Sequence, residues 1–260
     1  MHVDSFAPGA FSFVDLSAHD MAAIIPWYAA LFDWTYKAED TAGGPPYGMF
    51  WKDGRIAAGL GETAPELRAA GVPPLWNSYI QVEDVAATVA KVEAAGGTVM
   101  LAPMAVLDAG TMAVVADPQG AVVCLWQPDK HSGCGVVNEP GSFTWNELNT
   151  TDLAAAREFY GAVFGWTFEA MPGPTAMVTA SNAGEMNCSM LEMNAQWEGM
   201  PPAWSVYFAV ADCDATCAAI EASGGKVHVP PTDIPPGRFA VVADPQGAVF
   251  HIIRLAPHLA

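Results

Sequence analysis

Polar and apolar residues alternate in short runs along this chain and then give way to helical spacing, and the change recurs four times. FSFVDLSAHD (Phe11 to Asp20) and FTWNELNTTD (Phe143 to Asp152) read as strands ending in a Ser/Thr/Asp cluster that suits a helix start. Beyond them, Ile24, Trp27, Tyr28, Leu31 and Phe32, and later Phe159, Tyr160, Val163 and Phe164, fall at helical spacing. These aromatic stripes predict helix packing, and Pro26 predicts a late helix start or a kink. Short strands are predicted near Gly48 to Lys52 and Arg55 to Leu60, with partners near Ala176 to Ala180 and Glu185 to Leu191. Then PPLWNSYIQVEDVAATVAKVEAAGG and PPAWSVYFAVADCDATCAAIEASGG each lead a strand into an Asp-started, Ala-rich helix stopped by a Gly pair.

The second member of each pair is a copy of the first. VVADPQGAV occurs at Val114 to Val122 and again at Val241 to Val249, a recurrence that chance does not produce. Asp117-Pro118-Gln119-Gly120 and its copy fit a turn with Asp first, Pro second and Gly last, flanked by apolar β-formers, so each reads as a hairpin tip. The turn chemistry accounts for Asp117 and Asp244 without a catalytic role. The organisation that follows is α+β: tandem βαβββ modules, two per half and four in all. Residues 1–127 form the first domain, 128–141 a linker of mixed Gly, Pro and polar residues, and 142–260 the second domain.

Composition narrows the picture. The 260 residues are 52% hydrophobic, enough for a sizeable core, and carry a net charge of −18 with no basic cluster, which argues against nucleic acid and anionic membrane as partners. No basic, apolar leader and no long apolar run is seen, and the five cysteines contain no CxxC. A reduced, cytoplasmic protein is expected. Cys213 and Cys217 occupy the places of Val85 and Val89, so they read as small core residues.

Four βαβββ units, with DPxG before the last strand of each half, resemble the vicinal oxygen chelate superfamily of glyoxalase I, extradiol dioxygenases and the bleomycin- and fosfomycin-resistance proteins. The openings Phe13-Val14-Asp15-Leu16 and Trp145-Asn146-Glu147-Leu148 are similar to a tandem two-domain group whose members are often labelled polyketide hydroxylases or secreted-antigen homologues. The resemblance implies a cleft in which metal enzymes place four His, Gln or Glu ligands. Counting from the shared Asp residues puts those positions on Phe13, Asn77 and Cys124 in the first half and on Trp145, Ser205 and His251 in the second. The remaining position falls within Ala57 to Gly59 or Asn187 to Ser189. Neither half has the His/Glu set, and one possible ligand per site does not hold a divalent ion tightly. No metal and no other cofactor is expected.

Strand alternation assigns the rest of the clefts. Asn77, Tyr79 and Gln81 should face one cleft, and Ser205, Tyr207 and Ala209 the other. Phe13 and Asp15 share a face, as do Trp145 and Glu147, while Val122 with Cys124, and Val249 with His251 and Ile253, line the closing strands. Trp76 and Trp204, placed one residue before their strands, are expected near the mouth, and Asn187, in the stretch of the remaining position, is a candidate ligand-binding residue. Each cleft thus combines an aromatic ring, a carboxylate and a tyrosine, the composition of an apolar pocket with a few placed polar groups. Asp15 and Glu147 are either general bases, tuned by burial among aromatics, or carboxylates satisfied by local hydrogen bonds. His251 is either an assisting group or a packed histidine.

Three functions compete. The first is a metal-independent enzyme acting on an aromatic or polyketide-like substrate through Glu147 or Asp15, assisted by Tyr207 or His251. The second is a protein that sequesters an apolar or cationic compound, as the bleomycin-resistance branch does. The third, a metal-dependent lyase, isomerase or dioxygenase, is disfavoured by the lost ligands. The asymmetry between halves favours one specialised site, in the second half. A small molecule is the expected partner, bound by a monomer that mimics a dimer or by a homodimer.

Overall fold

The computed structural model describes residues 1–259 apart from positions 174 and 198. The fold is α+β, with sixteen strands among the described residues in two eight-stranded mixed sheets. The first half runs β1 (Phe11–Ala18), α1 (Met21–Phe32), β2 (Thr35–Ala38), β3 (Tyr47–Lys52), β4 (Arg55–Glu62), α2 (Pro65–Ala69), β5 (Leu75–Gln81), α3 (Val85–Ala94), β6 (Thr98–Val106), β7 (Gly110–Ala116) and β8 (Val122–Pro128). The second half runs β9 (Ser142–Thr150), α4 (Leu153–Phe164), β10 (Thr167–Ala170), β11 (Met177–Asn182), β12 (Glu185–Glu192), β13 (Ala203–Ala209), α5 (Cys213–Ala222), β14 (Lys226–Ile234), β15 (Gly237–Ala243) and β16 (Val249–Leu255).

The sheets have the same strand order, β2-β3-β4-β1-β5-β8-β7-β6 and β10-β11-β12-β9-β13-β16-β15-β14. Each is two βαβββ units joined where their first strands pair antiparallel, β1 with β5 and β9 with β13. Within a unit the first and last strands pair in parallel, as β5 does with β8 and β13 with β16. The four long helices start alike: Asp20, Asp84, Asp152 and Asp212 each cap the backbone N–H three residues on. Helix α1 begins at Met21, with no late start, and carries Pro26 inside it. Strands β2 and β10 are additions to the sequence reading. They are short and largely exposed, so they lack the buried alternation that marks a strand.

The halves meet through the sheet faces that carry the helices. Trp76 packs edge-on to Phe208 at 4.8 Å between ring centroids, and Phe11 to Trp204 at 4.8 Å. Ser78 donates to Asn146 across the interface at 2.6 Å. This placement corrects the expectation for Trp76 and Trp204. Both lie within their strands, on the face opposite Asn77 and Ser205, and are buried in the inter-half core. Their indole N–H groups donate to Tyr28 and Tyr160.

The repeated DPQG turn is the fastener. Asp117 Oδ1 closes its own turn by accepting from Gln119 N and Ala121 N, and Asp244 does the same with Gln246 N and Ala248 N. The other carboxylate oxygen reaches into the opposite half: Tyr28 donates to Asp244 at 3.0 Å and Tyr160 to Asp117 at 3.3 Å. The neighbouring Gln completes the lock. Gln119 Oε1 accepts from Thr151 N and Asp152 N ahead of α4, and Gln246 Oε1 from His19 N and Asp20 N ahead of α1. The indoles of Trp34 and Trp166 also cross, donating to the carbonyls of Gly141 and Gly9 just before the opening strands.

The segment between the halves is packed down. Cys134 N donates to Ser12 O and Gly135 N to Ile56 O, so the chain threads between β1 and β4 where those strands are not yet paired. Cys213 and Cys217 are buried on α5, as core residues. No helix among the described residues is long and apolar enough to cross a membrane.

Candidate functional sites

With the helix-bearing faces buried against each other, the opposite faces of the two sheets carry the repeated pattern of carboxylate, tyrosine and aromatic ring, each set within one half. In the first half, Asp15 is paired in register with Gly59 on β4 and Asn77 on β5. Asn77 donates to Asp15 Oδ1 at 2.8 Å, while Tyr47 and Tyr79 donate to Oδ2 at 3.0 and 2.8 Å. Gly59 is glycine because a Cβ there would collide with the Tyr47 hydroxyl and with Asp15 and Phe13. Burial pushes the Asp15 carboxyl above its ordinary value against the lowering effect of these three donors. Cys124 lies beside Tyr79, and burial pushes its thiol up, so it stays a thiol. Phe13 packs against Tyr79 at 5.5 Å and edge-on to His131 of the inter-half segment at 4.6 Å. Trp126 donates its indole N–H to the His131 carbonyl. The first cleft is therefore covered at this end by the chain's own linker.

In the second half, Glu147 is paired in register with Ser189 on β12 and Ser205 on β13. Ser189 donates to Glu147 Oε2 at 3.0 Å and Tyr207 to Oε1 at 3.1 Å. Trp145, half-buried, donates its indole N–H to the Ser189 oxygen at 2.9 Å, so an indole, a hydroxyl and a carboxylate form one chain. Ser205 accepts from Asn149. Burial pushes the Glu147 carboxyl above its ordinary value, and the two hydroxyl donors pull it back only in part. No Lys or Arg forms an ion pair with Asp15 or Glu147 among the described residues. The tyrosines beside them are pushed well above the ordinary phenol value by burial and by the carboxylates, so both remain donors.

His251 stacks edge-on to Tyr207 at 4.3 Å, and its buried Nδ1 has no hydrogen-bond partner. It makes no bond to Glu147. Burial pushes the imidazole down to about 3, so it is neutral at physiological pH and does not act there as a general acid. Asn187 also departs from expectation. Its amide is consumed by the segment before β1, accepting from Phe11 N and donating to Gly9 O, which makes it a tether between halves. Three participants escaped the sequence reading. Ser189 shares a strand face with Asn187 and was legible by alternation, whereas Tyr47 lies one residue before the strand read at Gly48 to Lys52 and His131 comes from a segment with no periodicity.

The metal positions implied by the superfamily hold Phe13, Gly59, Asn77 and Cys124 in one half and Trp145, Ser189, Ser205 and His251 in the other. Among the described residues no three His, Cys, Asp or Glu side chains come together. One imidazole beside two serines and an indole is not a divalent-metal donor set, and the residues present do not fit the group.

The paired sheets of four βαβββ units define the class. The sequence model of the Glyoxalase/Bleomycin resistance protein/Dioxygenase superfamily matches residues 10–125 and 136–252, and the chain belongs to that superfamily. It is 41% identical over 257 residues to the protein named "Putative glyoxylase CFP32" of Mycobacterium bovis, covering 97% of each chain. It is 35% identical over 264 residues to the "Anthracycline biosynthesis protein DnrV" of Streptomyces peucetius, covering 96% of this chain and 94% of that one. Among solved structures, the Mn(II)-bound glyoxalase from Novosphingobium aromaticivorans shares the fold with a TM-score of 0.65 at 16% identity, over 97% of this chain and 89% of that one.

Proposed function

We propose that the chain binds a planar aromatic, polyketide-like molecule in the cleft of the second half and moves a proton there through Glu147 without a metal. The observation that carries this reading is a buried carboxylate held only by two neutral hydroxyls, beneath a half-exposed tryptophan and with no cation to fix its charge. Such a carboxyl is poised closer to neutral pH than a free glutamate, as a general base requires. Trp145 offers a face on which an aromatic ligand can stack. Taking up a proton would weaken the Tyr207 and Ser189 bonds, and releasing it would restore them, so both hydroxyls tune the base. Asp15, saturated by three donors and roofed by the linker, serves the fold of the first half in this reading. The kinship to a protein named for anthracycline biosynthesis supports a polycyclic aromatic substrate.

A second reading, sequestration without turnover, is favoured by the net charge of −18, which suits a cationic aromatic compound. Fluorescence titration with an anthracycline and with its uncharged aglycone, followed by product analysis, separates the two. Glu147→Gln keeps size and hydrogen-bonding shape while removing the charge. The variant should fold and lose about tenfold in binding or turnover, about 1.4 kcal/mol. Unchanged binding and turnover in a folded Glu147→Gln protein would overturn the assignment of Glu147.

A further inference from the structure

The first half builds the Glu147 cleft a second time, on matching strands and with different side chains. Asp15 faces Gly59 and Asn77 on its neighbouring strands, and Glu147 faces Ser189 and Ser205. Tyr47 and Met177 match as well, since Tyr47 pairs with Gly61 and Met177 with Leu191. What reaches the carboxylates differs. Asp15 receives Asn77, Tyr47 and Tyr79, whereas Glu147 receives Ser189 and Tyr207 among the described residues.

Two exchanges account for the difference. The Asn77 amide donates to both Asp15 and Ser17, but Ser205 in its place accepts from Asn149 and makes no bond to Glu147 among the described residues. The Tyr47 hydroxyl passes over Gly59 to reach Asp15, but Met177 in its place has no donor. Ser189, standing where the first half has Gly59, supplies Glu147 with a hydroxyl but no ring. Glu147 also carries its carboxylate one methylene farther from the backbone than Asp15 does. A carboxylate has about four acceptor positions, and with only Ser189 and Tyr207 donating, Glu147 has room for a further donor. In a buried place each such bond is strong, because the acceptor is charged. Met177 is half-buried, unbranched and adaptable, a side chain that repacks around a guest.

We propose that the molecule bound in the second cleft is a phenol, with its hydroxyl donating to Glu147 and its ring in the position that Tyr47 holds in the first half, against Trp145 and Met177. This rests on the reading of the Glu147 cleft as an aromatic binding site and adds the group that is recognised there. Ser205 determines the specificity: by leaving Glu147 one donor short of the Asp15 pattern, it keeps a place for the hydroxyl of the ligand. The first half closes the same place with its own phenol, Tyr47.

The test compares 2-naphthol with 2-methoxynaphthalene by equilibrium dialysis against the full chain at neutral pH. The two share a ring system, and only the naphthol can donate. It should bind about tenfold more tightly, as one hydrogen bond to a buried carboxylate implies. Ser205→Asn gives Glu147 the amide donor that Asp15 has. The variant should melt at a higher temperature, bind 2-naphthol about tenfold more weakly and bind the methyl ether as the parent does. Equal affinity of the parent for the two compounds overturns the phenol assignment and leaves the aromatic cleft standing. Binding of neither overturns the cleft as well. A folded Ser205→Asn protein that keeps the full preference for 2-naphthol also overturns the proposal, because the hydroxyl would then be recognised elsewhere. The parent measurements decide the question even where the variant fails to fold.

Discussion

His251 shows how one buried side chain shapes the behaviour of the protein. Its imidazole titrates near 6.5 when unfolded and is pushed down to about 3 in the fold by burial. Between those values the unfolded chain binds a proton that the folded chain refuses, so the stability it confers is present above pH 6.5 and is lost as pH falls toward 3. The raised carboxyls of Glu147 and Asp15 act with the opposite sign. The folded state keeps their protons longer, and the stability this brings declines as pH rises through their raised values. A single substitution separates the two contributions. His251→Asn removes the titration while keeping a polar group, so between pH 7 and pH 5 the variant should lose about 2 kcal/mol less stability than the parent. Chemical denaturation at both pH values checks this, and parallel losses would mean that His251 is accessible to protons in the folded state.

At the level of elements, the repeated turn does more than reverse the chain. Each DPQG tip holds its own hairpin with one carboxylate oxygen and receives a buried tyrosine from the other half with the second. Tyr28 in turn accepts from Trp76, which links helix α1, strand β5 and the far hairpin in one buried chain. Tyr28→Phe removes a hydroxyl that serves two partners and leaves Asp244 Oδ2 and the Trp76 indole N–H without it. A loss of about 1–3 kcal/mol is expected, and Tyr160→Phe should behave alike. Urea midpoints measure both, and an unshifted midpoint in either variant would show that the crossing bonds add nothing to the fold. The faces of β1, β5, β9 and β13, the Asp caps and the turn itself were all legible beforehand, because alternation and capping are properties of a few adjacent residues. The tyrosine partners of the turn were not, because their helices belong to the other copy.

Over the whole molecule, the halves are packed back to back through aromatic side chains, with Phe208 and Phe250 of one half against Phe32 and Tyr28 of the other. Each half expressed alone would expose this face and an orphaned Asp–Tyr pair. Residues 142–260 alone should therefore fail to unfold cooperatively, while mixing with residues 1–141 should restore a cooperative transition. Calorimetry of the separate and mixed pieces measures this, and a sharp isolated transition at the parent temperature would mean that the interface is dispensable. The same packing turns the two clefts away from each other, so each is completed within its own half. It also leaves the linker to run over the first cleft, where His131 meets Phe13.

The sequence by itself determined the repeat, the four βαβββ units, and the side of each strand on which Asp15, Tyr79, Glu147 and Tyr207 lie. These follow from period, turn chemistry and residue type, which act locally. It assigned Trp76 and Trp204 to a mouth, and only the tertiary structure placed them in the interface. Alternation says that a side chain points away from the cleft, but not that a second sheet waits on that side. The same limit applies to Asn187, spent on the backbone before β1, and to Tyr47, which completes the Asp15 cluster through the gap left by Gly59. These contacts join segments far apart in the chain, and what decides them is which faces bury each other when the two copies fold together.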